Sequence, residues 1–135
     1  MVSKTFEANH ESLPAAMAFL EEQMDKMNID MKKQMQISIA VEELFVNIAH
    51  YSYSESGGEV ELQIDENAQL IIALIDSGAP FNPLERKDPD INAPIEEREI
   101  GGLGIYMAKQ NADKIEYEYK DGKNIVRIYK KIRDE

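Results

Sequence analysis

Three short segments of this chain carry side chains whose types and spacing suit the binding of a nucleotide and a metal ion. The first places a carboxylate, an amide and an imidazole on one face of a predicted helix, at Glu43, Asn47 and His50. An amide oxygen is a hard, neutral ligand suited to Mg²⁺, and a carboxylate one turn away can take a proton from a hydroxyl or water. A solvated polar helix face explains the same residues on their own. His50 is interpreted as a packing or hydrogen-bonding residue, because a chain with two histidines offers it no imidazole cluster.

The second segment, residues 76–81, follows an apolar predicted strand and contains Asp76, Gly78 and Phe81. A carboxylate at a strand end can accept a hydrogen bond from the exocyclic amine of adenine, which would select adenine over guanine. Gly78 leaves room for a base to approach the backbone. An ordinary turn is an equal alternative, because Asp, Gly and Pro are also the commonest turn residues.

The third segment is glycine-rich and stands where a helix should begin, at Gly101, Gly102, Leu103 and Gly104. Glycines let phosphates come close to the backbone, and the free amides of a helix N-terminus attract anions. The segment is neither a Walker loop nor a dinucleotide fingerprint. A hinge for the preceding loop is the plain alternative.

The elements that must position these segments follow from hydrophobic periodicity and turn residues. Strands are predicted over residues 2–8, 59–64, 70–75, 114–119 and 125–131. Three helices are predicted: one after the capping residue Ser12, one after the capping residue Asp30, and one over residues 103–111. The second helix is expected to run to about Tyr51, with an apolar stripe formed by Ile37, Val41, Leu44 and Ile48. The resulting order, β-α-α-β-β-loop-α-β-β, predicts an α+β two-layer sandwich, a mixed sheet with helices on one face.

Residues 82–100 are predicted to form a long loop, because prolines and charged residues crowd this part of the chain. A loop of this length inside a compact domain is usually functional or mobile.

The composition limits the class of protein. A chain of 135 residues fits one domain, and 43% hydrophobic content indicates a folded globular protein. A net charge of −11 argues against a nucleic-acid partner, because a phosphate backbone favours clustered Lys and Arg. The absence of cysteine excludes disulfides and Cys-type zinc sites. Apolar runs fall short of the roughly 20 residues that span a bilayer, and the N-terminus has no signal-peptide pattern, so a cytoplasmic location without a membrane partner is expected.

Taken in order and spacing, the three segments resemble the boxes of the GHKL ATPase family, whose members share the Bergerat ATP-binding fold. Residues 43–50 resemble its N box, 76–81 its G1 box and 101–104 its G2 box, while 82–100 stand where the family carries its ATP lid. Within that family, the chain resembles most closely the anti-sigma-factor serine/threonine kinases of bacterial partner-switching systems, because the G1-like segment ends in Pro80, Phe81, Asn82 and Pro83. The resemblance covers nearly the whole chain and implies a single histidine-kinase-like ATPase domain over residues 1–135.

The resemblance also implies roles for individual residues. Asn47 would coordinate Mg²⁺, and Glu43 would be the catalytic base that activates a partner's serine hydroxyl. Asp76 would bind the adenine amine with Gly78 beside the base, and Gly101 would be the hinge of the lid. The residues implied to bind ATP are Asn47, Asp76, Gly78, Phe81, Gly101, Gly102, Leu103, Gly104 and Asn124.

Two departures from the family pattern are visible. Asn124 stands where the last box usually has a threonine, and an asparagine can still hydrogen-bond a phosphate. His50 begins a His-Tyr-Ser-Tyr run in place of the usual His-Ala-Tyr or His-Gly-Tyr, which is expected to alter packing near the site. Lys87 and Arg98 are candidates for a phosphate contact from the lid. The better interpretation is that both are solvated charges on a mobile loop.

The implied partners are an anti-sigma antagonist as phospho-acceptor and a sigma factor, and the related kinases are homodimers. Two functions remain open: a protein-serine kinase that sequesters a sigma factor, or a catalytically silent ATP-binding module that controls a partner through its lid. Retention of Glu43 favours the kinase, since a pure binder needs no base. The ATPase module of a histidine kinase is less favoured, because no dimerisation helix with a phospho-acceptor histidine precedes the domain.

Overall fold

The computed structural model describes residues 1–53, 57–66, 69–85 and 102–132. Its main elements are β1 (Val2–Glu7), α1 (Leu13–Lys26), α2 (Met31–Asn47), β2 (Glu59–Glu66), β3 (Leu70–Asp76), α3 (Gly102–Asn111), β4 (Lys114–Lys120) and β5 (Lys123–Lys130). The predicted order of strands and helices is confirmed. Most of the predicted loop over 82–100 lies outside the described residues, apart from a 3₁₀ turn at Pro83–Glu85.

The five strands form one sheet in the order β1-β2-β3-β5-β4. The α+β class is confirmed, but the expectation of a mixed sheet is wrong, because each pairing of the described strands is antiparallel. β3 and β4 do run in the same direction, joined through α3, yet β5 lies between them and pairs with both. The register sets Asp76, the last residue of β3, opposite Asn124 near the start of β5.

The core lies between the sheet and the helices. The predicted stripe of α2 is buried, with Ile37, Val41, Leu44 and Ile48 each at most 4% exposed. On β2 the alternation is clear, since Val60, Leu62 and Ile64 are buried while the residues between them are not. Burying a large aliphatic side chain contributes about 1.5–3 kcal/mol, so this face fixes how α2 sits on the sheet.

The start of α2 follows the predicted cap, whereas the start of α1 does not. Asp30 accepts a hydrogen bond from the Lys33 backbone N–H at 3.0 Å. Ser12 makes no such bond, because it already has helical backbone angles at the end of a 3₁₀ turn, His10–Ser12. Asn9 caps that turn instead, accepting a hydrogen bond from the Ser12 backbone N–H at 2.9 Å.

The end of α2 is more complex than the predicted stop near Tyr51. The α-helical part ends at Asn47, and the chain continues as a single π-helical turn, Ile48–Ser52. π-Helical turns inside helices often occur at functional sites, because they redirect the side chains that follow. None of the described helices is both long and apolar enough to cross a membrane.

Candidate functional site

Asp76 lies at the end of β3 with only 2% of its surface exposed. Its Oδ1 accepts hydrogen bonds from the Gly78 backbone N–H and from Asn124 Nδ2, each at 2.9 Å. Ser52 Oγ lies 3.4 Å from Oδ2, which is a weak hydrogen bond. Burial raises the pKa of Asp76 despite these three hydrogen bonds, which act in the opposite direction. Oδ2 is therefore the oxygen with capacity for a further strong donor.

Asn124 is buried beside Asp76 and uses its whole hydrogen-bonding capacity there. Its Nδ2 donates to Asp76 Oδ1 and to the Ala79 carbonyl, each at 2.9 Å. Its Oδ1 accepts from the Phe81 backbone N–H at 3.0 Å and from the Tyr117 hydroxyl. An asparagine side chain has two donor hydrogens and two acceptor lone pairs, so no polar capacity is left for a phosphate. Asn124 therefore stabilises the positions of Asp76 and of the loop that follows it through hydrogen bonds.

Gly78 packs directly against the π-helical turn. A Cβ atom at this position would lie 2.0 Å from the Ser52 carbonyl oxygen. That carbonyl also accepts a hydrogen bond from the Ala79 backbone N–H at 2.8 Å, and the Tyr53 hydroxyl accepts one from Ser77 N–H at the same distance. The glycine is thus required by contact between two backbone segments, in addition to any bound base.

Replacing Gly78 with alanine is expected to destabilise the protein by about 2 kcal/mol, because the added methyl group overlaps a backbone atom that cannot rotate away. Chemical unfolding followed by circular dichroism measures this. Gly104→Ala is the matched control, since a Cβ there would meet only the flexible end of Glu43 and alanine is the better helix former. Equal loss of stability in the two variants would contradict this account.

Asn47 has a buried side-chain oxygen, Oδ1, without a hydrogen-bond partner among the described residues. The residue is 4% exposed, and its Nδ2 donates to the Glu43 carbonyl one turn earlier at 3.1 Å. A buried polar atom without a partner costs free energy and calls for an explanation such as a bound ion. A neutral oxygen of this kind fits Mg²⁺.

A small cavity is lined by both Asn47 and Asp76. It measures about 10 Å³, roughly the space of one water molecule. Its lining includes the polar side chains of Asn47, Ser52, Asp76 and Asn124 together with Phe81 and Pro83. A purine is far larger, so its entry requires the lining to open. The Phe81 ring stacks on the exposed ring of Tyr51, with centroids 5.2 Å apart, and Phe81 precedes the predicted lid.

Glu43 lies beside the start of α3. A Cβ on Gly104, in the first turns of that helix, would be 2.3 Å from Glu43 Oε2. Burial, and to a lesser degree the neighbouring Glu42 carboxylate, raise the pKa of Glu43. The Glu43 carboxylate thus lies against the first residues of α3.

The glycine segment is described only in part. Gly102 and Leu103 open α3 and Gly104 follows them, whereas Gly101 lies outside the described residues. The lid candidates Lys87 and Arg98 also lie outside them.

The structure brings together most of the predicted residues and adds some that sequence reasoning missed. Ser52, Tyr53 and Tyr117 complete the network around Asp76. The unusual Tyr-Ser-Tyr run after His50 was the available signal for the first two. The interpretation of His50 as a hydrogen-bonding residue is confirmed, but the reason given for it is wrong, since a second imidazole is at hand: His50 Nε2 lies 3.2 Å from His10 Nε2.

An antiparallel sheet with helices packed against it defines an α+β domain, and a strand-end carboxylate and a helix-borne amide line one of its cavities. The chain belongs to the histidine kinase-like ATPase domain family, whose sequence profile matches residues 6–130.

Several relatives of this chain carry the name serine-protein kinase. The serine-protein kinase RsbW of Bacillus cereus (strain ATCC 10987 / NRS 248) is 28% identical over 95 residues, covering 67% of this chain and 59% of that protein. The protein of the same name from Bacillus thuringiensis (strain Al Hakam) is 32% identical over 96 residues, with the same coverage. The chain therefore spans about three-fifths of the length of the curated relatives it matches.

A solved structure shares the fold. The crystal structure of the RsbU and RsbW domains of Rv1364c from Mycobacterium tuberculosis aligns with a TM-score of 0.65 at 14% identity. The alignment covers 99% of this chain and 34% of the other. At this identity the likeness establishes the fold alone.

Proposed function

We propose that this chain is an ATP-dependent protein-serine kinase that acts as an anti-sigma factor and phosphorylates an anti-sigma antagonist. The names of the matched relatives support the kinase assignment. The observation that carries it is the contact between Glu43 and Gly104, which places a carboxylate of raised pKa at the start of the helix expected to face the phosphates. A protein that only binds ATP has no use for a base at that point.

Two side chains on the lining of the cavity, Asp76 and Asn47, suit the two ends of Mg·ATP once the lining opens. Asp76 Oδ2 accepts a hydrogen bond from the adenine amine. Asn124 and Gly78 donate hydrogen bonds to Oδ1 and so fix the orientation of the carboxylate. Asn47 Oδ1, which is buried and has no hydrogen-bond partner among the described residues, would be the protein ligand for the metal ion. Bound Mg²⁺ would neutralise charge on the phosphates, and catalysis would then depend mainly on positioning.

Glu43 acts on the acceptor. Its carboxylate takes the proton of the partner's serine hydroxyl as the serine oxygen bonds to the terminal phosphorus, and the bond from that phosphorus to the ADP oxygen breaks. A carboxylate with a raised pKa is a stronger base, and proton transfer of this kind typically contributes about 10²–10⁴-fold in rate. Burial beside α3 is the origin of that basicity.

The remaining features of the proposal concern the setting of the domain. We propose one domain over residues 1–135 with its ATP lid at about 82–100, working as a homodimer in the cytoplasm. Its partners are the antagonist that accepts the phosphate and a sigma factor, and a net charge of −11 is consistent with protein partners rather than nucleic acid.

The proposal is tested by incubating the full chain with γ-labelled ATP and an antagonist protein encoded in the same genome. Label is expected on an antagonist serine in the presence of Mg²⁺, and chelation with EDTA should remove it. ATP binding without transfer to any antagonist would contradict the kinase and identify the alternative, a catalytically silent module that controls its partner through the lid.

A further inference from the structure

We propose that His10 and His50 form a binding site for a first-row transition-metal ion such as Zn²⁺, separate from the nucleotide site. They are the two histidines of the chain and lie 40 positions apart. His10 belongs to the 3₁₀ turn after β1, and His50 belongs to the π-helical turn after α2. The fold nevertheless brings their Nε2 atoms to within 3.2 Å of each other. We call these two residues the histidine pair.

The geometry of the histidine pair matches shared coordination of one ion. In a tetrahedral site with Zn–N bonds of about 2.0–2.1 Å, two ring nitrogens lie about 3.3 Å apart and their ring centres about 5.2 Å apart. The observed separations are 3.2 Å between nitrogens and 5.1 Å between ring centroids, with the rings inclined by 73°. Without the ion, the same separation corresponds to a hydrogen bond between the two Nε2 atoms.

The ligand chemistry selects the class of ion. Neutral imidazole nitrogen suits Zn²⁺, Cu²⁺ and Ni²⁺, whereas Mg²⁺ prefers oxygen. Both rings would bind through Nε2 and carry their proton on Nδ1. The site would therefore not compete with Asn47 for the metal of the nucleotide.

The surroundings of the histidine pair favour a cation and give it access. Both imidazoles are exposed and line an open cavity of about 680 Å³ together with Glu7, Glu11 and Glu59. Clustered carboxylates raise the local concentration of cations. Within the described residues no third His, Cys, Asp or Glu completes a preformed cluster, so water would fill the remaining positions around the ion.

Coordination would join two turns that are distant in sequence. The π-helical turn that carries His50 begins directly after Asn47 and ends at Ser52, the hydrogen-bond partner of Asp76. An ion held between this turn and His10 would favour the folded form over the unfolded one, since only the folded chain brings the two imidazoles together.

The test is a calorimetric titration of the full chain with Zn²⁺, without nucleotide and in excess Mg²⁺ to occupy sites made of carboxylates alone. One Zn²⁺ per chain and a raised melting temperature are expected. His10→Gln and His50→Gln should each weaken binding at least tenfold. Glu11→Gln is the control for cavity charge and should change the affinity less than threefold. Since nucleotide is absent, the result is independent of the proposed kinase activity.

Two outcomes would overturn the site: no Zn²⁺ binding to the intact chain, or equal affinity in the parent and both histidine variants. Co²⁺ provides a second measurement, because the intensity of its visible absorption separates four-coordinate from six-coordinate binding, and the band should vanish in either variant. If His50→Gln disturbs folding by circular dichroism, His10→Gln decides the matter, since His10 lies in an exposed turn.

Discussion

Asp76→Asn is expected to lower the affinity for ATP about 100-fold, which corresponds to roughly 2.7 kcal/mol. The reason lies in which carboxylate oxygen is already occupied. Two donors, the Gly78 N–H and Asn124 Nδ2, require an acceptor at Oδ1. An asparagine would therefore keep its oxygen there and turn its NH₂ group toward the position proposed for the adenine amine. Donor would then face donor in a buried site, and calorimetry with Mg·ATP measures the loss.

Asp113→Asn is the matched control, because this aspartate also accepts a hydrogen bond from a backbone N–H, that of Lys131, at the other end of the sheet. Its affinity for ATP should equal that of the parent protein. An Asp76→Asn variant that also binds ATP normally would remove the adenine assignment.

The Asp76→Asn variant should be at least as stable as the parent protein at neutral pH. The pKa of Asp76 is raised above the ordinary value of 3.8, with burial as the leading cause. A raised pKa in the folded state means that the parent gains stability as pH falls through that pKa and loses it as pH rises. Asparagine has no such dependence. The melting temperature of Asp76→Asn relative to the parent is therefore expected to be highest at neutral pH, to decline as pH falls through the raised pKa of Asp76, and to level off below the ordinary value of 3.8.

Much of the fold was predictable because local and global signals agree along this chain. The apolar stripe of α2, the Asp30 cap and the alternation in β2 each point to one buried face. Asp121 and Gly122 have φ values of 54° and 77°, typical of a tight hairpin turn. The error over the mixed sheet arose because the order of elements does not determine whether β5 lies outside β4 or between β3 and β4.

The site was predictable by residue type but not by contact. Asp76 and Asn47 belong to separate segments, and only the register of β3 with β5 and the packing of α2 place both on one cavity. Asn124 was expected to bind ATP from its family position alone, and that stays a prediction, whereas its hydrogen bonds with Tyr117 and Ala79 are visible only in the structure. The π-helical turn could not be predicted, since periodicity does not distinguish one inserted residue near a helix end.

The contacts also separate two properties that the sequence presents together. Asp76, Ser52, Gly78 and Asn124 form one hydrogen-bonded unit at the strand ends. Glu43 does not line the cavity and contacts the start of α3 instead. Binding of the adenine ring and transfer of the phosphate should therefore respond to different substitutions. The adenine assignment and the kinase assignment can each be tested without the other.

Glu43→Gln is expected to reduce phosphate transfer to the antagonist about 10³-fold while ATP affinity changes less than threefold. Glutamine keeps the size and polarity that fit beside Gly104 but cannot accept the serine proton. Single-turnover transfer of labelled phosphate, with affinity measured on the same preparation, distinguishes the two effects. Transfer at the parental rate would show that Glu43 is not the base, and parallel loss of binding would assign it to the nucleotide site instead.

The pH dependence provides the control. A base must be ionised, and burial holds the pKa of Glu43 above the ordinary value of 4.5, so parental transfer should decline on the acid side at a pH above that value. Glu42 is exposed, and its carboxylate contributes to raising the Glu43 pKa. Glu42→Gln should therefore leave neutral-pH transfer nearly unchanged and move the acid limb to lower pH, because removing a like charge favours the ionised form of Glu43. An acid limb that does not move in Glu42→Gln, or that persists in the residual activity of Glu43→Gln, would mean that another group accepts the proton.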